Sequence, residues 1–298
     1  MARKKRGEPI HGWLNIDKPA GMSSAAVVGA VKRITNAQKA GHAGTLDPFA
    51  TGVLPIALGE ATKTVSYIVD DLKEYSFTTR WGEARNTDDI EGEVTKTSET
   101  RPNEAQIISA LPKFTGLVRQ IPPVYSAIKI DGKRAYKLAR EGADIVMPER
   151  EITIHKFSFE NILDIDHASF HVKCSKGTYI RALARDFALE LGTYAHLSQL
   201  RRTKVGPFLE KSAISLDMLE KLWQCPAEFE DLLPLTTALD DIPAVAITET
   251  QADRVRHGND VAVPNTVDGI VCAMNEDIPV SIARVENGIL YPVRVFNI

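Results

Sequence analysis

One stretch restricts the fold more than any other: Gly41-His42-Ala43-Gly44-Thr45-Leu46-Asp47-Pro48-Phe49-Ala50-Thr51-Gly52-Val53-Leu54. Three glycines, a histidine, a carboxylate and a proline share fourteen positions, and an apolar run over residues 53–58 follows directly. Glycine loses more backbone freedom on folding than any other residue, so ordering such a loop is costly. Chains keep one where backbone must approach something closely or where a side chain must be aimed in an unusual direction. The side chain aimed here is Asp47. An Asp before Pro ordinarily bonds its own turn, but Leu46 and Phe49 place apolar neighbours around this one. A half-buried carboxylate needs a cation, and the planar fork of Arg can meet both of its oxygens. Arg181 is the candidate. It opens a helix in Gly177-Thr178-Tyr179-Ile180-Arg181, where a cation stands beside an aromatic face.

A chain of 298 residues, 44% apolar and 25% charged, has the composition of a soluble globular protein. It accommodates one large domain, or one large and one small. No run approaches the roughly 18 apolar residues of a membrane span. The basic start Met1-Ala2-Arg3-Lys4-Lys5-Arg6 is not followed by an apolar signal core, which predicts a cytoplasmic protein with no membrane partner. Cys174, Cys225 and Cys272 are scattered and odd in number, which fits reduced thiols and neither a disulfide framework nor a Cys-x-x-Cys pair. His167 and His171 lie four apart without a HExxH frame, so no metal site is expected. The net charge of −3 hides an uneven distribution. Residues 1–40 hold eight Lys or Arg against Glu8 and Asp17, and residues 113–140 hold seven against Asp131. Residues 210–241 hold eight Asp or Glu against Lys211 and Lys221. The blocks cancel in the sum while leaving a local face able to bind phosphates.

Residues 1–9 read as a disordered basic tail. A strand over 12–17 and a turn at Lys18-Pro19-Ala20-Gly21 precede a helix over 25–33, capped by Ser23 or Ser24. Thr62 is the expected cap of a helix reaching residue 70, and alternation predicts a strand over 73–80. A polar loop over 81–89 and a helix over 102–111 come next. The rigid Gln120-Ile121-Pro122-Pro123 leads to a predicted strand over 124–130, a turn at Asp131-Gly132 and a basic helix over 133–141, a compact insertion that projects from the body. Further strands are expected near 152–159 and 167–173. Thr178 is the expected cap of a helix over 179–191, and Ser215 opens another to about 223. The acidic, Pro-bearing stretch 226–241 marks a boundary, beyond which only a small β-rich module fits.

Taken in order, these blocks resemble the TruB family of bacterial tRNA pseudouridine-55 synthases. Gly12-Trp13-Leu14-Asn15-Ile16-Asp17-Lys18-Pro19-Ala20-Gly21-Met22-Ser23-Ser24 matches the family's opening motif, and Lys39-Ala40-Gly41-His42-Ala43-Gly44-Thr45-Leu46-Asp47-Pro48 its catalytic motif. Glu74-Tyr75, Gln120-Ile121-Pro122-Pro123-Val124-Tyr125-Ser126-Ala127 and Lys176-Gly177-Thr178-Tyr179-Ile180-Arg181 match later blocks. The resemblance spans about residues 10–210. It implies an α+β fold: a mixed, largely antiparallel sheet flanked by helices, with a thumb-like basic insertion (about 119–142) and a small C-terminal PUA-like domain. The implied organisation is a tail over 1–9, a catalytic domain over 10–240 and an RNA-binding domain over 241–298.

The implied reaction isomerises a T-loop uridine of tRNA to pseudouridine without cofactor or metal. The target base must leave its stack to react. By the resemblance, Asp47 is the essential carboxylate, acting at C1′, at C6 or in glycal formation, and Arg181 keeps it ionised and oriented. Tyr75 stacks on the uracil and can remove a proton, Tyr179 lines the pocket, and His42 fills the gap the base leaves. Lys18 and Lys63 are expected near the substrate. Arg119, Lys129, Lys133 and Arg134, with Lys137 and Arg140, are expected on phosphates. The insertion favours a stand-alone monomer over guide-RNA-dependent relatives. A non-catalytic RNA-binding protein or tRNA-folding chaperone is the alternative. A carboxylate glycosidase ranks last, since it needs a second carboxylate about 5–10 Å away and the motifs pair none with Asp47.

Overall fold

The computed structural model describes residues 7–130, 132–143, 145–224 and 230–298. Residues 1–6 of the expected tail, Asp131 of the expected turn and Cys225 lie outside them. Residues 7–9 are not a free tail: Glu8 bridges Ala37, accepting from Gln38 N and donating through its own N–H to Asn36 O.

The first strand, β1 (Gly12–Lys18), leads to α1 (Ser24–Thr35), whose N-terminus is capped by Ser23 and whose C-cap Asn36 is left-handed. β2 (Ala40–His42) and β3 (Thr51–Leu58) flank the Gly-rich loop. Next come α2 (Val65–Asp70), β4 (Lys73–Trp81), the hairpin β5 (Glu83–Arg85) with β6 (Val94–Thr97), α3 (Glu104–Ala110) and β7 (Gly116–Gln120). The insertion holds β8 (Lys129–Ile130), β9 (Lys133–Arg134) and α4 (Ala135–Arg140). The domain continues through β10 (Arg150–Ile162), β11 (His167–Cys174), α5 (Ile180–Glu190), β12 (Ala195–Val205), β13 (Phe208–Leu209) and α6 (Leu216–Leu222). The C-terminal module comprises β14 (Ala244–Ala246), α7 (Glu249–Arg256), β15 (Val261–Ala262), β16 (Gly269–Asn275), β17 (Ile278–Glu286) and β18 (Ile289–Val295).

The large sheet runs β1-β3-β12-β4-β11-β10-β7, with β2 on β3 and β13 on β12. Among the described residues its one parallel pairing joins β3 to β12, matching Thr51 to Arg201 and Gly52 to Arg202. Gly52 (φ 100°) is obligatory there, because a Cβ would lie 2.2 Å from the Arg202 carbonyl oxygen. One face of β4 buries Tyr75, Phe77 and Trp81 in a core with Phe157, Phe170 and Phe187 from β10, β11 and α5. This aromatic packing makes α5, and Arg181 on its first turn, a rigid platform. The five-stranded module has the order β14-β16-β17-β18-β15 and an apolar core of its own. It docks through Cys272, Ile282 and Phe296 against Trp13, Ile68 and Phe208.

Several local expectations are corrected. The strand over 124–130 is confined to β8, since Pro122 and Pro123 lack the N–H of a ladder and the chain turns after them. Thr62 caps nothing; its hydroxyl donates to Gly59 O within a short 3-10 turn, and α2 starts after Thr64. Thr178 donates to Ser175 O, and the N–H of the true cap residue, Tyr179, goes to Gln120. The loop over 81–89 contains β5, paired with β6.

Candidate active site

Both residues flanking Asp47 are clamped by the end of β1 and the segment that follows it. Ser24 Oγ donates to Leu46 O (3.0 Å) and accepts from Leu46 N (2.8 Å). Gly21 N and Lys18 Nζ both donate to Pro48 O, at 2.8 and 3.0 Å. The opening motif and the Gly-rich loop are thus two halves of one structure. Lys18 also donates to Pro19 O and Met22 O. It is fully buried, and burial lowers its pKa to about 8, with Asp47 pulling the other way. Its expected contact with substrate is therefore corrected: it braces the loop from beneath and has no surface to offer a ligand.

Arg181 meets Asp47 as expected. Its Nη2 donates to Oδ1 at 3.1 Å, while Oδ2 stands 2.9 Å from Nε, within ion-pair range. The guanidinium is buried, with 3% of its side chain exposed, against 33% for Asp47, so the carboxylate is the part presented to a ligand. Arg181 further donates to Thr87 O (2.7 Å) and Tyr125 O (2.9 Å) and lies 3.3 Å from Asp89 Oδ2. A cation shared by two carboxylates and two carbonyls is locked in orientation. Burial pushes the Asp47 carboxyl pKa up, Arg181 opposes this, and Asp89 adds to the rise.

Tyr75 is buried on β4, with its pKa raised by burial, and it feels the Asp47 charge. Tyr179 feels that charge too, and its ring lies 5.4 Å from the Arg150 guanidinium. Asp47, Tyr75, Tyr179 and Arg181 therefore converge from β2–β3, β4 and the start of α5. Gln120 secures the last of these, donating to Tyr179 O (3.0 Å) and accepting from Tyr179 N (2.8 Å). His42, at the other end of the loop, is partly exposed; burial first, then the Arg202 charge, lower its pKa and favour the neutral ring.

The remaining expected contacts lie further out. Lys129, Lys133 and Arg134 share the exposed β8–β9 hairpin, with Lys129 opposite Arg134, and none has an ion-pair partner among the described residues. Arg119 is exposed on β7, 3.8 and 3.9 Å from Glu149 and Glu151. Lys63 is engaged elsewhere: its ammonium bonds Glu60 and the Val295 carbonyl (2.7 Å), tying the C-terminal strand to the large domain. Three residues of the site escaped sequence reasoning. Asp89 sat in a stretch read only as a polar loop, Gln120 was quoted in a motif without a role, and Arg202 was given no role at all.

The architecture is that of the pseudouridine synthases. A family model described as TruB family pseudouridylate synthase (N terminal domain) matches residues 32–180, and one described as tRNA pseudouridylate synthase B C-terminal domain matches residues 181–241. The chain belongs to the TruB family of pseudouridylate synthases. It is 51% identical to a tRNA pseudouridine synthase B of Bradyrhizobium diazoefficiens over 97% of this chain and 86% of that one. It is 48% identical to one of Caulobacter vibrioides over the whole of both. Among solved structures it is similar to a Cbf5-Nop10-Gar1 complex, with a TM-score of 0.74 and 29% identity over 96% of this chain and 84% of the other. A H/ACA RNP bound to a substrate RNA containing 2′-deoxyuridine also gives a TM-score of 0.74, at 26% identity over 100% and 92%.

Proposed function

We propose that the protein isomerises uridine 55 in the T-loop of tRNA to pseudouridine. The N1–C1′ bond breaks, a C5–C1′ bond forms, C5 gives up its proton and N1 gains one. Nothing is added or removed overall, so the reaction needs correct positioning more than it needs a reagent. The observation that carries this reading is Asp47, clamped on both flanks and fixed on a buried arginine while a third of its own side chain stays exposed. Attack at C1′, attack at C6 and assistance to a glycal all require its anionic form. Arg181 orients that anion. Tyr75 gives a face for the flipped uracil and a hydroxyl for proton removal, and Tyr179 closes the other side. His42, neutral and at the far end of the loop, takes the space the base vacates.

Phosphate contacts come from the β8–β9 hairpin and Arg119, which supply affinity while T-loop shape supplies selectivity. The organisation proposed is a catalytic domain to about residue 240 and a PUA-like RNA-binding module over 241–298, acting in the cytoplasm as a monomer without guide RNA. Two observations support independence from a guide. The chain carries its own basic hairpin, and it is 45–51% identical to relatives named tRNA pseudouridine synthase B against 26–29% for chains of H/ACA and Cbf5 complexes. The basic hairpin alone also fits a non-catalytic RNA-binding protein or tRNA chaperone. Incubating the pure chain with a T-arm transcript and measuring pseudouridine separates the two. Product at the T-loop uridine is expected, and its loss in Asp47→Asn with RNA affinity kept. RNA binding without product in the wild-type chain would sink the enzyme reading.

A further inference from the structure

Arg202 is the anomaly of the molecule. Alternation along β12 turns Arg201 outward, where it grips Asp17 through two hydrogen bonds (3.0 and 2.9 Å), and turns Arg202 inward to 1% exposure. There it has no ion-pair partner within 4.0 Å among the described residues, although an unpaired buried charge is expensive. Its donors go to backbone instead: Nε to Val53 O at 2.8 Å and Nη2 to Gly44 O at 3.0 Å. Those two carbonyls stand at the two ends of the segment that carries Asp47. In register, Arg202 lies between Gly52 on β3 and Tyr75 on β4. Gly44 (φ 86°) leaves room for it, since a Cβ there would sit 3.3 Å from Nη1.

We propose that Arg202 is a positioning residue for the isomerisation: one planar group, on the strand residue paired with Tyr75, that holds both ends of the Asp47 loop and so fixes where the carboxylate stands relative to the tyrosine. It touches no substrate atom. A packing role alone would be filled at less cost by an apolar side chain of similar volume. What only a guanidinium provides is several donors in a fixed plane, aimed at two separate carbonyls at once. Arg202→Lys keeps the charge but gathers its donors at a single point, so the two ends of the loop are no longer tied to each other.

The proposal rests on the isomerase reading, and the test keeps the two separable. Single-turnover pseudouridine formation is measured at saturating T-arm RNA, together with RNA affinity and the reaction amplitude, for wild type and Arg202→Lys. The rate constant is expected to fall about 100-fold, the loss that a misplacement of order 1 Å produces, with amplitude kept and affinity within about threefold. A merely structural defect would lower the amplitude by removing active molecules, and would leave the rate constant of the rest unchanged. A rate within about threefold of wild type, or a loss confined to amplitude or affinity, overturns the proposal. Should Arg202→Lys fail to fold, Arg202→Gln, which keeps a planar donor but loses the fork that reaches both carbonyls, is measured in its place. It is expected to slow the step about tenfold, and an unchanged rate there is equally fatal. Absence of product from the wild-type chain instead sinks the reading of function, and this proposal with it.

Discussion

Asp47 sits where burial and the charge of Asp89 raise its pKa while Arg181 and Lys18 lower it, with a net shift upward. A nucleophile or base at this position works as the anion, so activity must be lost on acidification at a pH above the ordinary carboxylate value of about 4. Asp89→Asn removes a negative neighbour, which lowers the Asp47 pKa; the acid limb of the single-turnover rate should therefore move to lower pH. A limb that stays in place or moves up would show that Asp89 does not act on Asp47 through charge. The same geometry makes Arg181→Lys severe. One ammonium cannot serve Asp47, Asp89, Thr87 O and Tyr125 O together, and the two carboxylates would be left with one point charge between them. A rate loss of about 100-fold is expected in the same assay with RNA affinity little changed, and a near-normal rate would break the link between Asp47 and Arg181.

At the scale of elements, the insertion is stitched to the pocket through its root. Gln120 pairs with both backbone groups of Tyr179, Ile121 O accepts from Arg185, and Tyr125 O accepts from Arg181. Three ties converge on the first turns of α5, the element that presents Tyr179 and Arg181. Gln120 is 2% exposed, so Gln120→Ala leaves the Tyr179 N–H and carbonyl without their partner. A stability loss of about 1–3 kcal/mol is expected in denaturant unfolding, with a slower single-turnover rate; unchanged stability and rate would mean water replaces the side chain without consequence. This level also shows what the sequence could and could not tell. The Asp47 loop was legible because its glycines, apolar flanks and proline are consecutive. Arg181 was legible because a half-buried carboxylate demands a cation and a helix start supplies one. Lys18 was expected near the substrate because it belongs to a matched motif, and only the tertiary fold shows its ammonium turned to the carbonyls of Pro19, Met22 and Pro48. Arg202 was missed because Arg201-Arg202 reads as a basic pair, and only the pairing of β12 with β3 and β4 decides which of the two points inward. Lys63 depended on a partner 232 residues away, which no local pattern records.

Across the whole molecule, a net charge of −3 coexists with a basic hairpin whose Lys129, Lys133 and Arg134 are exposed and free of ion pairs among the described residues. Charges already paired within the protein gain little from a phosphate, whereas these three can each displace a counterion from the RNA. The hairpin, more than the total charge, should then govern how affinity responds to salt. For a nucleic acid, log K falls with log salt by roughly 0.7–0.9 per neutralised phosphate. Replacing Lys129, Lys133 and Arg134 together by Ala should therefore make the slope shallower by roughly 2–3 and weaken binding alike for T-arm and unrelated RNA. The single-turnover rate at saturating RNA should be retained, because the Asp47–Arg181 pair and its clamps lie on other elements. Measuring affinity from low to physiological salt for wild type and the triple variant decides the matter. An unchanged slope would show that this hairpin does not touch the RNA backbone and that the phosphate contacts lie on another face.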